Sequence, residues 1–314
     1  MGDKFMNRFR LSILAMASVM LAYNVYDNNR ITVKEQVVYI DNLPQEFDGF
    51  RILQVSDLHG KRFGKDQSYL VSKVNGINYD MIAFTGDMEI YSNNDLTAFV
   101  ELLKGINNKK CMFYVNGNDD VAYSSIAGNE ADSGEVLQQN GCMFLTKPHP
   151  IKRADKTLWI TNYFKKSAID KYKSKRGIFM GSQDEYVAYR EYLTELEEAF
   201  HKIKENGDIK VLITHIPFTR NDFDVMDKED VLDFSLVLAG HYHGGQIRIP
   251  FYGALFIPGS RDEERILFPK QNEVSGLAEY NGIQQYISTG LGASIIPFRL
   301  FDTPEINLII LKTK

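Results

Sequence analysis

Five short apolar runs, each cut off by an Asp, Asn or His, constrain this chain more than any other feature of its 314 residues. Residues 51–56 (RILQVS) stop at Asp57, 81–85 (MIAFT) at Gly86-Asp87, and 111–115 (CMFYV) at Asn116-Gly117. Farther on, 209–214 (IKVLIT) stop at His215 and 234–239 (FSLVLA) at Gly240-His241. Uninterrupted apolar runs of this length mark strands covered on both faces. Helical patterns lie between them, at 67–78, 94–106 and 185–204. Strands alternating with helices predict an α/β layered fold, and open α/β sheets bind ligands at the C-terminal ends of their strands. One polar residue there is an ordinary turn former. Five sets in succession predict a site.

In chain order the set is Asp57-Leu58-His59, Gly86-Asp87, Gly117-Asn118-Asp119-Asp120, His215 and Gly240-His241-Tyr242-His243. Four of the six histidines belong to it; His149, between two prolines, reads as a loop residue, and His201 as a solvated helix position. Carboxylate, imidazole and carboxamide oxygen make a mixed N/O donor set without thiolate. That chemistry suits Mn, with Fe or Zn as alternatives, and argues against a structural zinc site. The donors exceed what one ion needs, whereas two divalent metal ions about 3.5–4 Å apart, bridged by one carboxylate, would use them all. Taken alone, Asp57-x-His59 or Gly86-Asp87 is a strand-end turn. His241-x-His243 says more, because i,i+2 spacing on an extended segment puts both rings on one side and the flanking glycines permit close approach.

This ordered pattern resembles that of the calcineurin-like metallophosphoesterase superfamily: D-x-H, G-D, G-N-H-[DE], H, G-H-x-H, here over residues 51–243. It is closer still to the membrane-associated bacterial branch, through 240–250 (GHYHGGQIRIP), Gly290-Leu291-Gly292, 297–305 (PFRLFDTPE) and a last strand at 306–311. The resemblance implies a four-layer α-β-β-α sandwich with two mixed sheets. It also implies that Asp57, His59 and His243 bind one ion, that Asn118, His215 and His241 bind the other, and that Asp87 bridges them. The implied reaction is in-line attack of a metal-bridged hydroxide on a phosphoester, with phosphodiester or pyrophosphate bonds favoured in that branch.

The chain departs from the family at Asp119, where the motif has a catalytic His. Three readings are open. Asp119 acts as a general acid with a raised pKa; the leaving group departs unaided; or the protein binds metal and phosphate with little turnover. Asn118 and Asp120 stand beside it as the other catalytic candidates. A second departure begins at 159–164 (WITNYF), which reads as a strand leaving the core. It continues in the stretch 165–176, whose six basic residues and one acid read either as a solvated loop or as a patch for anionic head groups or substrate. Residues 260–265, with Arg261, Arg265 and three acids, read as an ordinary loop.

Ahead of all this, Lys4, Arg8 and Arg10 precede sixteen uncharged residues, 11–26 (LSILAMASVMLAYNVY), the layout of a signal-anchor without a clear cleavage site. Sixteen residues make roughly 24 Å of helix, short of a hydrocarbon core of about 30 Å unless Arg8, Arg10, Tyr23 and Tyr26 extend it at the interfaces. The competing reading is a buried N-terminal helix. Basic residues on the leading side predict a single-pass protein of the cell membrane with its catalytic domain on the extracytoplasmic side. The division is then 1–30, anchor, and 31–314, metallophosphoesterase domain, since no Pro/Gly/Ser-rich linker or repeat interrupts the rest. With 36 Lys plus Arg against 41 Asp plus Glu, the net charge is −5, which excludes a general nucleic-acid binder. The expected partners are a phosphoester substrate, with a lipid-linked phosphate as one candidate, and the membrane; the sequence is silent on oligomeric state. Cys111 and Cys142 are open to either pairing or burial as thiols.

Overall fold

The computed structural model describes residues 2–89, 95–118, 120, 131–162, 194, 198, 199, 203, 208–228, 234–257, 266–294 and 296–314. It opens on a 28-residue helix, α1 (Gly2–Asn29). Within it Met6–Asn29 is long and apolar enough to cross a membrane, and none of its most apolar stretch is buried against the rest of the chain. That exposure overturns the buried-helix alternative. At 1.5 Å per residue α1 is about 42 Å long, so the helix continues past the uncharged run at both ends and carries Arg8, Arg10, Tyr23 and Tyr26 where they can extend it. The helix outlasts that run because its end is tied to the domain through Asn24, Asp27 and Asn28.

The remaining elements are β1 (Thr32–Ile40), β2 (Arg51–Val55), α2 (Ser68–Asn75), β3 (Met81–Phe84), α3 (Thr97–Gly105), β4 (Met112–Tyr114), α4 (Ala131–Gln139), β5 (Met143–Phe144), β6 (His149–Arg153), β7 (Lys156–Asn162) and β8 (Ile209–Ile213). After them come α5 (Arg220–Lys228), β9 (Leu236–Ala239), β10 (Arg248–Ile249), β11 (Gly253–Ala254), β12 (Phe256–Ile257), β13 (Ile266–Leu267), β14 (Gly276–Tyr280), β15 (Ile283–Ile287) and β16 (Glu305–Thr313). One six-stranded sheet has the order β1-β16-β2-β3-β4-β5 and the other β14-β15-β9-β8-β7-β6. Both are mixed: β2, β3 and β4 run parallel while β16 opposes β2, and β7, β8 and β9 run parallel while β6 opposes β7.

The two sheets face each other across a core of Ile52, Met81, Ala83 and Phe113 from one and Leu158, Ile160, Val211, Ile213, Leu236 and Leu238 from the other. The far face of the first sheet packs Leu53, Ile82 and Phe84 against Leu70 and Val74 of α2, Phe99 and Leu102 of α3 and Leu137 of α4. On the far face of the second, Leu212 and Val237 meet Phe223 of α5 and Tyr280. The layers therefore run α-β-β-α. Since β2, β3, β8 and β9 are covered on both faces, residues on either side of them can be apolar, and this is why they stand out as apolar runs, broken only by Arg51, Gln54 and Lys210.

Two expectations need correction. Residues 159–164 were expected to form a strand leaving the core, yet β7 is an inner strand whose Leu158 and Ile160 lie between the sheets. His149 is not in a loop: it starts β6, pairs with Ile160 and tilts its ring 5.0 Å from that of Phe113, and burial lowers its pKa. Cys111 and Cys142 are free thiols. The stretches 165–176 and 260–265, His201 and most of 185–204 lie outside the described residues.

Candidate metal centre

The sandwich brings the C-terminal ends of β2 and β3 in one sheet against those of β8 and β9 in the other. The turns that follow are sharp. Asp57, His59, Asp87, His241 and His243 all have φ between 47° and 73°, in the left-handed region that L-residues avoid. Each such residue costs about 1–3 kcal/mol and persists only where its surroundings fix it. Here backbone bonds do so: Asp57 N–H donates to Gly86 O (3.0 Å), His59 N–H to Asp87 O (2.9 Å) and Gly240 N–H to His215 O (2.9 Å). Across the sheets, His241 N–H donates to Asp57 Oδ1 at 3.0 Å.

The side chains converge on Asp87. Its Oδ2 lies 3.5 Å from His59 Nε2 and 3.2 Å from His215 Nε2. On one side His59 Nε2 and His243 Nε2 face each other at 3.2 Å, with Asp57 Oδ1 3.5 Å from the latter. On the other, His215 Nε2 is 3.1 Å from His241 Nδ1 and 3.0 Å from Asn118 Oδ1. Asp57, His59, Asp87 and His243 each offer a ligand atom within 4.8 Å of one another, as do Asp87, His215 and His241; Asp87 is common to both groups. Asp57, Asp87, His215, His241 and His243 are all buried.

Facing pairs of imidazole nitrogens, each within reach of a carboxylate, are what a cation organises. The electrostatics agree. Burial pulls the His215 imidazolium down, but Asp87, Asp57 and the Thr85 carbonyl outweigh it and raise His215 to about 10. The pocket thus carries a surplus of negative charge that positive charge must offset. His243 goes the other way: burial, His59 and Arg299 drive it well below the usual imidazole range, leaving it in the neutral form that ligates metals. The donor set fits divalent ions.

Packing around these atoms leaves no slack. A Cβ on Gly117 would overlap the Asp87 carboxylate, so only glycine lets the two turns meet. Asp120 is expected in the chemistry, but its buried carboxylate points into the turns instead. Oδ2 accepts from the N–H of Asp87 (2.7 Å), the N–H of Gly117 (2.7 Å) and the hydroxyl of Tyr114 (2.7 Å). Oδ1 accepts from the N–H of Met88 (2.9 Å) and of Glu89 (3.1 Å). Burial and the Asp87 charge push this carboxyl up, and the Gly117, Tyr114 and Glu89 donors pull it only part of the way back. Asp119 lies outside the described residues.

One contributor escapes sequence reasoning. Arg299, fully buried, donates Nε to Asp302 O (2.8 Å), one terminal nitrogen to Gly292 O (2.7 Å) and the other to Thr289 O (2.6 Å), His243 O (3.2 Å) and the Asp302 carboxylate. It pins the backbone of a metal-facing histidine to the loop after β15. All but one of its acceptors are backbone carbonyls, so no spacing of side chains announces it.

Comparison with known proteins agrees with this geometry. A family model described as calcineurin-like phosphoesterase matches residues 50–245. Two Bacillus subtilis proteins, each described as an uncharacterized metallophosphoesterase, are similar. YkuE is 25% identical over 297 residues, 90% of this chain and 86% of its own. YkoQ is 27% identical over 302 residues, 94% of this chain and 97% of its own. A Danio rerio protein described as a transmembrane protein with metallophosphoesterase domain is 24% identical over 311 residues, 97% of this chain and 63% of its own.

Proposed function

The chain belongs to the calcineurin-like phosphoesterase family, and from that premise we propose that it is a two-metal hydrolase of phosphodiester or pyrophosphate bonds, anchored by its first 30 residues and catalytic in residues 31–314. The single observation that carries the two-metal reading is Asp87, whose Oδ2 lies within 3.5 Å of a histidine nitrogen on each side. Asp57, His59 and His243 would hold one ion and Asn118, His215 and His241 the other, with Asp87 within reach of both groups. Mn suits this donor set, with Fe or Zn as alternatives. The ions supply acidified water near neutral pH and offset charge on the phosphoryl oxygens.

The chain's own residues do the rest. His215 Nδ1 sits 2.8 Å from Thr85 O, which fixes the tautomer with its proton on Nδ1 and leaves Nε2 free to ligate. Asp57 takes the His241 N–H and so aligns the two sheets' turns about the site. Asp120 is a positioning residue that fixes the backbone of the Asp87 turn. Asp119, in the place of the family's histidine, protonates the leaving oxygen or leaves that step to a good leaving group. The exposed apolar α1 and the transmembrane relative support membrane anchoring. Lys4, Arg8 and Arg10 ahead of the span favour an extracytoplasmic catalytic domain. A lipid-linked phosphate is then a natural substrate class.

The test is turnover of bis-p-nitrophenyl phosphate by the full chain in detergent micelles with Mn, beside Asp87→Asn. Wild type should turn over only with metal, and Asp87→Asn should lose that rate. Full metal loading without turnover above Asp87→Asn would assign the chain to metal or phosphate binding instead, as the Asp119 substitution allows.

A further inference from the structure

Two short hairpins spring from the loop that carries His241 and His243: β10 pairs with β11 and β12 with β13. Together they leave Ile249, Phe251, Tyr252, Leu267 and Phe268 in water, and Phe298 is exposed nearby. Phe251 is completely exposed. The two hairpins are joined, since the Tyr252 and Phe268 rings lie edge to face at 6.3 Å and Phe268 N–H donates to Leu255 O at 2.8 Å. Scattered exposed apolar residues are ordinary; a clustered aromatic patch marks an interaction site.

The patch is continuous with the foot of α1. Arg248 N–H donates to Leu300 O, and Leu300 N–H to Gln246 O, both at 2.9 Å. One residue away, Arg299 O accepts from the amides of Asn24 (2.5 Å) and Asn28 (2.8 Å), while Arg299 N–H donates to Asn28 Oδ1 at 2.8 Å. Phe301 stacks obliquely on Tyr23 at 5.8 Å. Among the described residues the domain grips α1 at Tyr23–Asn28, and the helix beyond carries exposed Leu14, Val19 and Leu21. Tyr23 and Tyr26 form an aromatic border where polar contacts begin, the chemistry of the head-group layer. Hydrogen bonds thus link β10, where the patch begins, directly to the segment that holds this border. The Arg248 guanidinium, bonded to Gly244 O at 2.7 Å, ties β10 to the metal loop.

We propose that Ile249, Phe251, Tyr252, Leu267, Phe268 and Phe298 rest in the lipid interface beside the anchor and hold the metal centre against the bilayer surface. Aromatic side chains with an apolar body and, for tyrosine, a polar tip suit that layer. The substrate class follows: a phosphoester presented at the membrane surface. This rests on reading α1 as a bilayer span.

The experiment uses the full chain in phosphatidylcholine–phosphatidylglycerol vesicles with native Trp159 replaced by Phe. A single Trp is introduced by Phe251→Trp or, separately, by Leu14→Trp, and lipids brominated at the upper acyl chain serve as quenchers. Both Trp residues should emit at shorter wavelength than in water and lose emission to the brominated lipid. Quenching at 14 but not at 251 would overturn the patch and leave the anchor standing. Quenching at neither would remove the anchor and the patch together. A blue shift at 251 without quenching would mean that protein, such as a second copy, covers the patch, and would also overturn the proposal. A thermal melt matching the parent's shows that each variant is folded.

Discussion

Replacing Asp120 with Asn separates a carboxylate that shapes the site from one that reacts in it. The wild-type group accepts five hydrogen bonds, three at Oδ2 and two at Oδ1. An amide offers one acceptor oxygen and turns two hydrogens toward whatever lies opposite the other position. The least damaging orientation keeps the oxygen where three donors meet, and it leaves the N–H groups of Met88 and Glu89 facing an NH₂. Each buried donor left without an acceptor costs about 1–3 kcal/mol. The loss is therefore about 2–6 kcal/mol, a large share of the 5–15 kcal/mol typical of a domain. At roughly 2 °C per kcal/mol for a domain of this size, the melting temperature in detergent should fall by about 4–12 °C. Mn affinity should fall with it, since the freed backbone carries Asp87. A variant that melts with the wild type and binds Mn equally well, but turns over phosphoester slowly, would refute this reasoning and return Asp120 to the chemistry.

Arg299→Met takes the guanidinium donors away from the carbonyls of Gly292 and Thr289, leaves His243 O with the Gln246 N–H, and strands Asp302. Breaking a buried pair in this way costs roughly 3–5 kcal/mol, so a chemical-denaturation midpoint close to wild type would contradict the pinning role. Added Mn should raise the melting temperature of the full chain, by the equivalent of about 2.7 kcal/mol at a hundredfold excess over Kd; a chelator should reverse it, and a flat response would mean that the cluster binds no metal. The Cys142 thiol is buried and its pKa pushed up, so at pH 8 it stays protonated and should resist iodoacetamide until the chain unfolds. Peptide mapping that finds it alkylated in the folded protein would argue against the burial described.

What could be read from the sequence was what leaves a one-dimensional trace. Strands β2, β3, β8 and β9 are covered on both faces, and their apolar runs end where Asp57, Asp87, His215 and His241 begin. Edges leave a weaker trace. In β1 only Val38 and Ile40 are buried, while Val33, Val37 and Tyr39 are exposed, so apolar residues occur on both sides and the period blurs. Strands β10 to β13 are two residues each, too short for any period. Flanking prolines disguised His149 as a loop residue, although neither proline prevents β6 from pairing through its other residues. The role of Asp120 depended on donors from another turn, and that of Arg299 on carbonyls from three loops. Such partners are set by tertiary closeness and have no spacing to recognise.

The parallel pairing of β1 with β16 runs through nine register positions, from Thr32 with Glu305 to Ile40 with Thr313, and β16 then separates β1 from β2. The first strand of the domain and the last are thus partners, and the strand that leads to Asp57 borders one synthesised some 250 residues later. Loop closure on that scale is slow. During synthesis α1 emerges long before β16 exists, so the half-made chain would be tethered by its anchor while its first sheet still lacks a central strand. Until translation reaches β16, the strand that leads to Asp57 and His59 is paired on one side alone, through β3, and its other edge stays open.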